Sequence, residues 1–146
     1  MLDCKTLTST DMAYKIIEIE GVGEAYAKKL QEAGVVTTDD LLEKAATPKG
    51  RADLAEETGI SSKLILKWAN HADLFRIKGV AGQFAELLEA AGVDTVKEFR
   101  HRVAANLQPK LQEVNDERHL CKRVPSVSEI ERMIEQAKEL TPAISY

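Results

Sequence analysis

A segment of 19 residues occurs twice in this chain, 58 residues apart, and the two copies align without a gap. The first copy begins at Ile19 and reads IEGVGEAYAKKLQEAGVVT, and the second begins at Ile77 and reads IKGVAGQFAELLEAAGVDT. Nine of the 19 aligned positions are identical, which chance does not readily give over an ungapped stretch. The pattern indicates an internal duplication, so the chain should fold as two copies of one small unit. The identical pairs are Ile19/Ile77, Gly21/Gly79, Val22/Val80, Ala27/Ala85, Leu30/Leu88, Ala33/Ala91, Gly34/Gly92, Val35/Val93 and Thr37/Thr95.

The second part of each unit matches more loosely. The stretch SSKLILKWANHA from Ser61 aligns with SVSEIERMIEQA from Ser126, now at an offset of 65 residues. The second unit therefore holds seven more residues than the first, the difference between the offsets of 65 and 58. We place them in the stretch 115–125, NDERHLCKRVP, and predict a polar connector there.

Local signals predict helices throughout both units. Aromatic residues make up only 5% of the chain, whereas Ala, Leu, Glu and Lys are abundant, and this mixture favours helices over strands. Gly34 and Gly59 stand where helices should end. Trp68 lies on an apolar stripe with helical spacing, which makes it a core residue rather than a platform for stacked bases. Five helices are predicted in the first unit. The first spans about 11–19 after the capping residues Ser9 and Thr10, and the second spans 24–33. The third is capped by Thr37 or Thr38, the fourth spans 48–58 and is opened by Thr47 and Pro48, and the fifth spans 61–77.

The stretch IEGVGEAYAKKLQEAGV resembles a helix-hairpin-helix motif. That motif has an apolar residue, Gly, an aliphatic residue and Gly, followed by a helix carrying Ala and Leu. The continuation, TTDDLLEKAATPKGRADLAEETGISSKLILKWA, resembles the amino-terminal helical domain of archaeal RecA-class recombinases, and also the helix-hairpin-helix pairs of RuvA and of bacterial DNA ligases. Over residues 10–140 the chain is most similar to an uncharacterised bacterial domain family with this tandem arrangement. The residues that match the motif are Ile19, Gly21, Val22, Gly23, Ala27 and Leu30.

The resemblance implies an all-α fold. Two tandem helix-hairpin-helix repeats, each a bundle like a SAM domain, would share a linking helix formed by residues 61–77. The predicted organisation is an N-terminal extension at 1–10, a first repeat at 11–74, a second repeat at 75–140 and a C-terminal tail at 141–146.

The same resemblance implies weak binding to the phosphate backbone of DNA, without sequence preference. In DNA-binding members of this class, the Gly-rich hairpin offers backbone N–H groups to a phosphate beside a helix N-terminus, whose dipole favours anions. Contacts of this kind fix position and carry no sequence information. The candidate DNA-binding residues are Gly21, Val22, Gly23, Lys28, Lys78, Gly79, Val80, Ala81, Gly82 and Gln83.

The sequence departs from the DNA-binding pattern at both hairpins. Glu20 and Glu24 flank the first one and would repel a phosphate, although Lys28 and Lys29 follow one turn later. In the second, Ala81 stands where the second Gly is expected. The second hairpin has the more favourable neighbours, which are Arg76, Lys78 and Gln83.

Two classes of partner therefore stay open, DNA and another protein. The net charge is −4, whereas proteins that coat DNA are usually basic. A protein-interaction or scaffold module with the same fold is the alternative hypothesis. The basic residues Arg118, His119, Lys122 and Arg123, with Arg100, His101 and Arg102 upstream, could form a phosphate-binding surface, but we favour a solvated connector because Asp116 and Glu117 are interspersed.

No motif for catalysis, a metal or a cofactor is recognisable. His71, His101 and His119 are scattered, Cys4 and Cys121 form no CxxC pair, and no nucleotide-binding signature follows a strand. We therefore predict a protein that is not an enzyme and carries neither cofactor nor metal. No stretch approaches the roughly 20 apolar residues of a membrane-spanning helix, and no secretory signal is recognisable. A cytoplasmic location without a membrane partner is expected, and the oligomeric state is left open.

Overall fold

The computed structural model describes residues 14–19, 21–80 and 82–146. Throughout these residues the chain is all-α, as predicted, with a short 3-10 helix at Ile16–Glu18 and no β-strand. The α-helices of the described residues are α1 Gly23–Glu32, α2 Thr38–Lys44, α3 Pro48–Thr58, α4 Ser62–Leu74, α5 Gly82–Ala90, α6 Val96–Arg100, α7 Ala104–Arg118 and α8 Val127–Glu139.

The chain divides into two compact units. The first comprises Met1–Ala72 together with Ala143–Tyr146, and the second comprises Asp73–Pro142. Helix α4 runs from the first into the second, because its last two residues, Asp73 and Leu74, belong to the second unit.

Side-chain caps begin two helices of the first unit, α2 and α3, where the sequence predicted them. The Thr37 hydroxyl accepts a hydrogen bond from the Asp40 N–H, and the Thr47 hydroxyl accepts one from the Gly50 N–H. Such bonds satisfy backbone donors that a helix cannot pair within itself. Gly59 ends α3 in the left-handed conformation. The apolar faces of these helices meet in a core that contains Ile16, Leu30, Leu41, Leu54, Ile65 and Trp68.

Over its described part, the predicted helix at 11–19 is reduced to the short 3-10 helix at Ile16–Glu18. Residues 11–13 and the suggested caps Ser9 and Thr10 lie outside the described residues. Lys15 is extended and forms an isolated antiparallel bridge with Thr37. The Ile16 N–H donates to the Val36 carbonyl at 3.0 Å, so the start of this segment pairs with a distant part of the chain before the 3-10 helix forms.

Two further boundaries differ from the predicted ones. Helix α4 ends at Leu74 rather than continuing to residue 77, because the Arg76 and Ile77 N–H groups donate to carbonyls only three residues back, which makes tight turns. The predicted connector at 115–125 is helical as far as Arg118. His119, with a φ of 52°, ends α7 in the left-handed conformation, and only the residues after it form the connector.

A buried amide holds that connector in the second unit. The Asn115 side chain donates to the Cys121 carbonyl at 2.9 Å and accepts from the Cys121 N–H at 2.8 Å. Both backbone groups of Cys121 are thus satisfied by one side chain of α7, which fixes the path from α7 to α8.

Candidate functional site

The first Gly-rich turn connects Ile19 to α1. Gly21 and Gly23 are exposed and have positive φ values of 91° and 64°, a backbone conformation that residues with a Cβ rarely adopt. Between them, Val22 is buried, and its N–H donates to the Ile19 carbonyl at 3.1 Å. Among the residues that the structure describes, no side chain caps the start of α1. The turn is thus anchored by one apolar side chain and leaves glycine backbone at the surface.

The second turn has the same local structure 58 residues later. Val80 is buried and its N–H donates to the Ile77 carbonyl at 3.0 Å, while Gly79 is exposed with a φ of 98°. Ala81, a predicted site residue, lies outside the described residues. Gly82 is half-buried at the start of α5, and Gln83 next to it is exposed.

The ends of the helices that follow the two turns also correspond. The Val35 N–H donates to the Leu30 carbonyl at 2.8 Å, and the Val93 N–H donates to the Leu88 carbonyl at the same distance. Thr95 caps α6 as Thr37 caps α2. The backbone pairing of the 19-residue segment is therefore repeated at the offset seen in the sequence.

Each turn lies on a large side chain of a later helix in its own unit. A Cβ added to Gly21 would be 3.8 Å from Nε1 of Trp68, and one added to Gly79 would be 3.0 Å from Cε of Met133. Trp68 and Met133 are aligned in the looser half of the repeat. The backbone conformation requires glycine at the second turn, whereas the Met133 methyl group is the flexible end of a side chain and could move aside.

Among the predicted basic residues, Lys28 on α1 and Lys78 before Gly79 are exposed. The Lys78 N–H donates to Oε1 of Gln136 on α8 at 3.0 Å. Sequence reasoning missed Gln136, although its place one helical turn after Met133, which aligns with Trp68, was an available signal. This bond fixes the backbone of the second turn and leaves the Lys78 side chain in solvent.

Arg76 was predicted to favour a phosphate at the second turn, but its guanidinium is bonded within the protein. Its Nε donates to Oδ1 of Asp73 at 2.7 Å, and its Nη2 donates to the Thr141 carbonyl at 2.9 Å. Burial raises the pKa of Asp73, and the neighbouring Arg76 charge opposes that rise. Arg76 therefore serves as the partner of a buried carboxylate.

The acidic side chains near the second turn oppose the binding of an anion there. A shallow cavity along α8 is formed by Glu131, Arg132, Glu135, Gln136 and Glu139. It places three carboxylates and one guanidinium on the helix that also supplies Gln136 to the turn. A phosphate at this turn would depend on Lys78 and on backbone N–H groups rather than on a basic surface.

Several arginines of the predicted basic stretch have partners within the second unit. Arg123 forms two hydrogen bonds with the Glu129 carboxylate, at 3.0 and 2.9 Å. Arg102 pairs with Glu98 at 2.9 Å, and Arg100 donates to the Lys138 carbonyl at 3.2 Å. These contacts favour the solvated connector over a phosphate-binding surface, because they leave these guanidinium groups less available to a phosphate.

The Arg123–Glu129 pair gives a pH-dependent prediction. Hydrogen bonding to Arg123, and then to the Ser126 N–H, lowers the pKa of Glu129 from 4.5 to about 2. A lowered folded-state pKa means that the ionised group stabilises the fold above the unfolded value, and that this contribution is lost as the pH falls from 4.5 towards 2. Arg123→Gln should raise the pKa of Glu129 towards 4.5 without restoring it fully, because the Ser126 bond remains.

An NMR titration of the Glu129 side-chain carboxyl carbon measures this pKa directly. Lys122→Gln is the matched control, since it removes the adjacent exposed charge and keeps Arg123, which forms the two bonds to Glu129. An unchanged pKa in Arg123→Gln would show that the pair does not form in solution.

In the part of the chain that the structure describes, no cluster of three or more His, Cys, Asp or Glu side chains could hold a metal ion. Cys121 is a half-buried free thiol whose pKa is raised by burial and by the charge of Glu86, and Cys4 lies outside the described residues. No helix among the described residues is both long and apolar enough to span a membrane.

The fold and the two turns define a class, an all-helical protein with a Gly–Val turn before one helix in each of its compact units. Comparison with known families then assigns the chain more narrowly. It belongs to the family described as Domain of unknown function (DUF4332), which matches residues 20–140. A search of curated proteins and a search of solved structures each found no match. The resemblance to recombinases, RuvA and DNA ligases thus stays a prediction.

Proposed function

We propose that this protein is a non-enzymatic module that binds the phosphate backbone of DNA weakly and without sequence preference. The two turns at 21–23 and 78–83 would act as the hairpins of tandem helix-hairpin-helix repeats. The observation that carries the proposal is the recurrence, 58 residues apart, of an exposed glycine beside a buried valine whose N–H closes the turn.

The chemistry of the turns supports an anionic ligand. A phosphate can approach a glycine backbone closely, and the first N–H groups of a helix have no acceptor within the helix itself. At Gly23 no atom of a described residue lies within 4 Å of the position that a Cβ would occupy, which leaves space for a ligand at the start of α1. The helix dipole adds a favourable field for an anion at the same place.

The charged residues differ between the two turns and favour phosphate binding at the second. Glu24 is exposed in the first turn of α1, and the aligned residue at the start of α5 is Gly82. Two unit charges about 6 Å apart interact by roughly 3 kcal/mol at an effective dielectric constant near 20. Removing such a repulsion outweighs a neutral hydrogen bond, which contributes about 1 kcal/mol. The exposed Lys78 side chain attracts a phosphate, whereas the residue at the aligned position in the first turn is Glu20, which repels one.

Other charges keep the expected affinity low. The net charge is −4, Arg76 is bound to Asp73, and carboxylates line the cavity along α8. A surface with so few available cations should neutralise about two to four phosphates, which implies strong salt dependence. We expect dissociation constants no better than about micromolar at physiological salt.

The experiment compares Lys78→Glu with Lys28→Glu on one labelled DNA duplex, by fluorescence anisotropy at low and moderate salt. We expect Lys78→Glu to weaken binding about tenfold at low salt, a change of about 1.4 kcal/mol, and Lys28→Glu to weaken it clearly less. Lys63→Glu is the control for net charge, because Lys63 is exposed and belongs to neither turn.

Equal effects of Lys28→Glu and Lys78→Glu would contradict the assignment to the second turn. Absence of binding by the parent protein at low salt would contradict DNA binding itself.

The alternative candidate is a protein-interaction or scaffold module. It is favoured by two exposed apolar side chains in the first unit, Ile17 at 43% and Val36 at 49% exposure. The bond from the Ile16 N–H to the Val36 carbonyl brings their backbones together. A parent protein that does not bind DNA at low salt would make this candidate the preferred one.

A further inference from the structure

The segment Ala143–Tyr146, which contains no helix, turn or bend, is bound to the first unit through its backbone. The Ser145 N–H donates to the Ala46 carbonyl at 2.7 Å, and the Ser145 carbonyl accepts from Nη2 of Arg51 at 2.9 Å. These two bonds pair both backbone groups of Ser145 with the region where α2 connects to α3. A main-chain contact of this kind accepts any extended residue that has an N–H group.

Two side-chain contacts add specificity. The Ser145 hydroxyl donates to the Ala46 carbonyl at 3.2 Å, and the Tyr146 hydroxyl donates to Oδ1 of Asn70 at 2.7 Å. The ring of Tyr146 is largely exposed, at 62% for the residue, so its hydroxyl is the specific part of the contact. An extended peptide with adjacent Ser and Tyr satisfies all four bonds.

The receiving groups are buried and held in place by the first unit. Arg51 is only 6% exposed, and its Nη1 donates to the Ala45 carbonyl at 2.9 Å, which fixes the guanidinium plane. Asn70 is 8% exposed on α4. Residues 143–146 provide part of this cover, so Arg51 and Asn70 would bond to water if the segment left. The bond from Arg51 to the Ala45 carbonyl lies within the first unit and would keep the guanidinium oriented for another carbonyl acceptor.

We infer that Ala46, Arg51 and Asn70 form a peptide-binding site, here called the Arg51 site. Residues 143–146 are its resident occupant, and an extended segment of another protein that carries adjacent Ser and Tyr competes with them. The resident segment has the advantage of a high effective concentration, so a peptide added in trans binds measurably only after that segment is disengaged. This inference does not depend on DNA binding.

The test uses the full chain with the double substitution Ser145→Pro and Tyr146→Ala. Proline cannot donate the bond to Ala46, and alanine has no hydroxyl for Asn70. The 15N-labelled variant is titrated with the acetylated peptide Thr-Pro-Ala-Ile-Ser-Tyr, and the amide resonances of Ala46, Arg51 and Asn70 are followed. We expect these resonances to move saturably towards their positions in the parent protein.

Two altered peptides serve as matched controls. With Pro in place of Ser, the peptide should cause no shift, and with Phe in place of Tyr it should bind several-fold more weakly. The inference is overturned if the double variant shows no saturable shifts, if the Pro peptide binds as well as the original, or if the parent protein responds as strongly as the variant. Collapse of the amide dispersion of the first unit in the double variant would also overturn it, because residues 143–146 would then be a part of the core.

Discussion

Trp68→Ala is expected to lower the free energy of unfolding of the first unit by about 3–5 kcal/mol. Trp68 is 1% exposed, and its ring meets Tyr26 edge-on, with centroids 5.1 Å apart at an interplanar angle of 61°. It also supports the turn at Gly21 from below. Removing the indole would leave a cavity beneath the turn and deprive Tyr26 of its aromatic partner.

Chemical denaturation followed by circular dichroism measures this loss. Trp68→Phe is the matched control and should cost clearly less, because a phenyl ring fills part of the same volume. Should Trp68→Ala unfold at the same denaturant concentration as the parent, Trp68 would not be a core residue, and a role for it at the surface would have to be considered again.

Gly50→Ala should destabilise the first unit by about 2–3 kcal/mol, although the same change usually stabilises a helix. Gly50 is the third residue of α3, and a Cβ there would be 2.3 Å from the carbonyl oxygen of Lys44, the last residue of α2. That neighbour is backbone, so it cannot rotate away. Helix α3 would have to shift away from α2. This displacement would also weaken the cap that Thr47 forms with the Gly50 N–H.

Ala52→Gly is the control for helix propensity, because Ala52 is exposed in the same helix. It should cost about 1 kcal/mol, the ordinary penalty for glycine in a helix. The two variants are compared by the same denaturation experiment. A Gly50→Ala protein more stable than the parent would show that the approach of α3 to α2 is looser than described.

Most helix boundaries could be predicted because their causes are local. Thr47 with Pro48 opens α3, Gly59 closes it, and Ser126 caps α8 through a bond from the Glu129 N–H. In each case the residue that sets the boundary lies within one turn of it, so the sequence carries the whole signal.

The wrong boundaries depend on hydrogen bonds that neither composition nor periodicity indicates. Lys15 is extended because its segment pairs with residues near Thr37, a contact that no periodicity indicates. The helical state of Asn115 was missed because polar composition suggested a connector, whereas its side chain binds Cys121 and is buried. A long-range pairing determined the conformation at Lys15, and a side-chain contact over six residues accompanies the helical end at Asn115.

The candidate turns could be located from the sequence, because the backbone requires glycine at these positions. The side chains that surround the turns could not be predicted in the same way. That Gln136 binds the Lys78 N–H and that Arg76 binds Asp73 depends on which helix packs beside the turn. The docking of Ser145 on Arg51 joins residues 94 positions apart, and no pattern in either segment predicts it.

The different side chains beneath the two turns make them separately observable. The chain has a single tryptophan, and its indole lies under Gly21, while the ε-methyl group of Met133 lies under Gly79. A ligand at the first turn should therefore change the indole emission, and one at the second turn should shift a methionine methyl resonance. The protein thus carries its own spectroscopic probe for each turn, and an unlabelled sample suffices to tell which of them a ligand occupies.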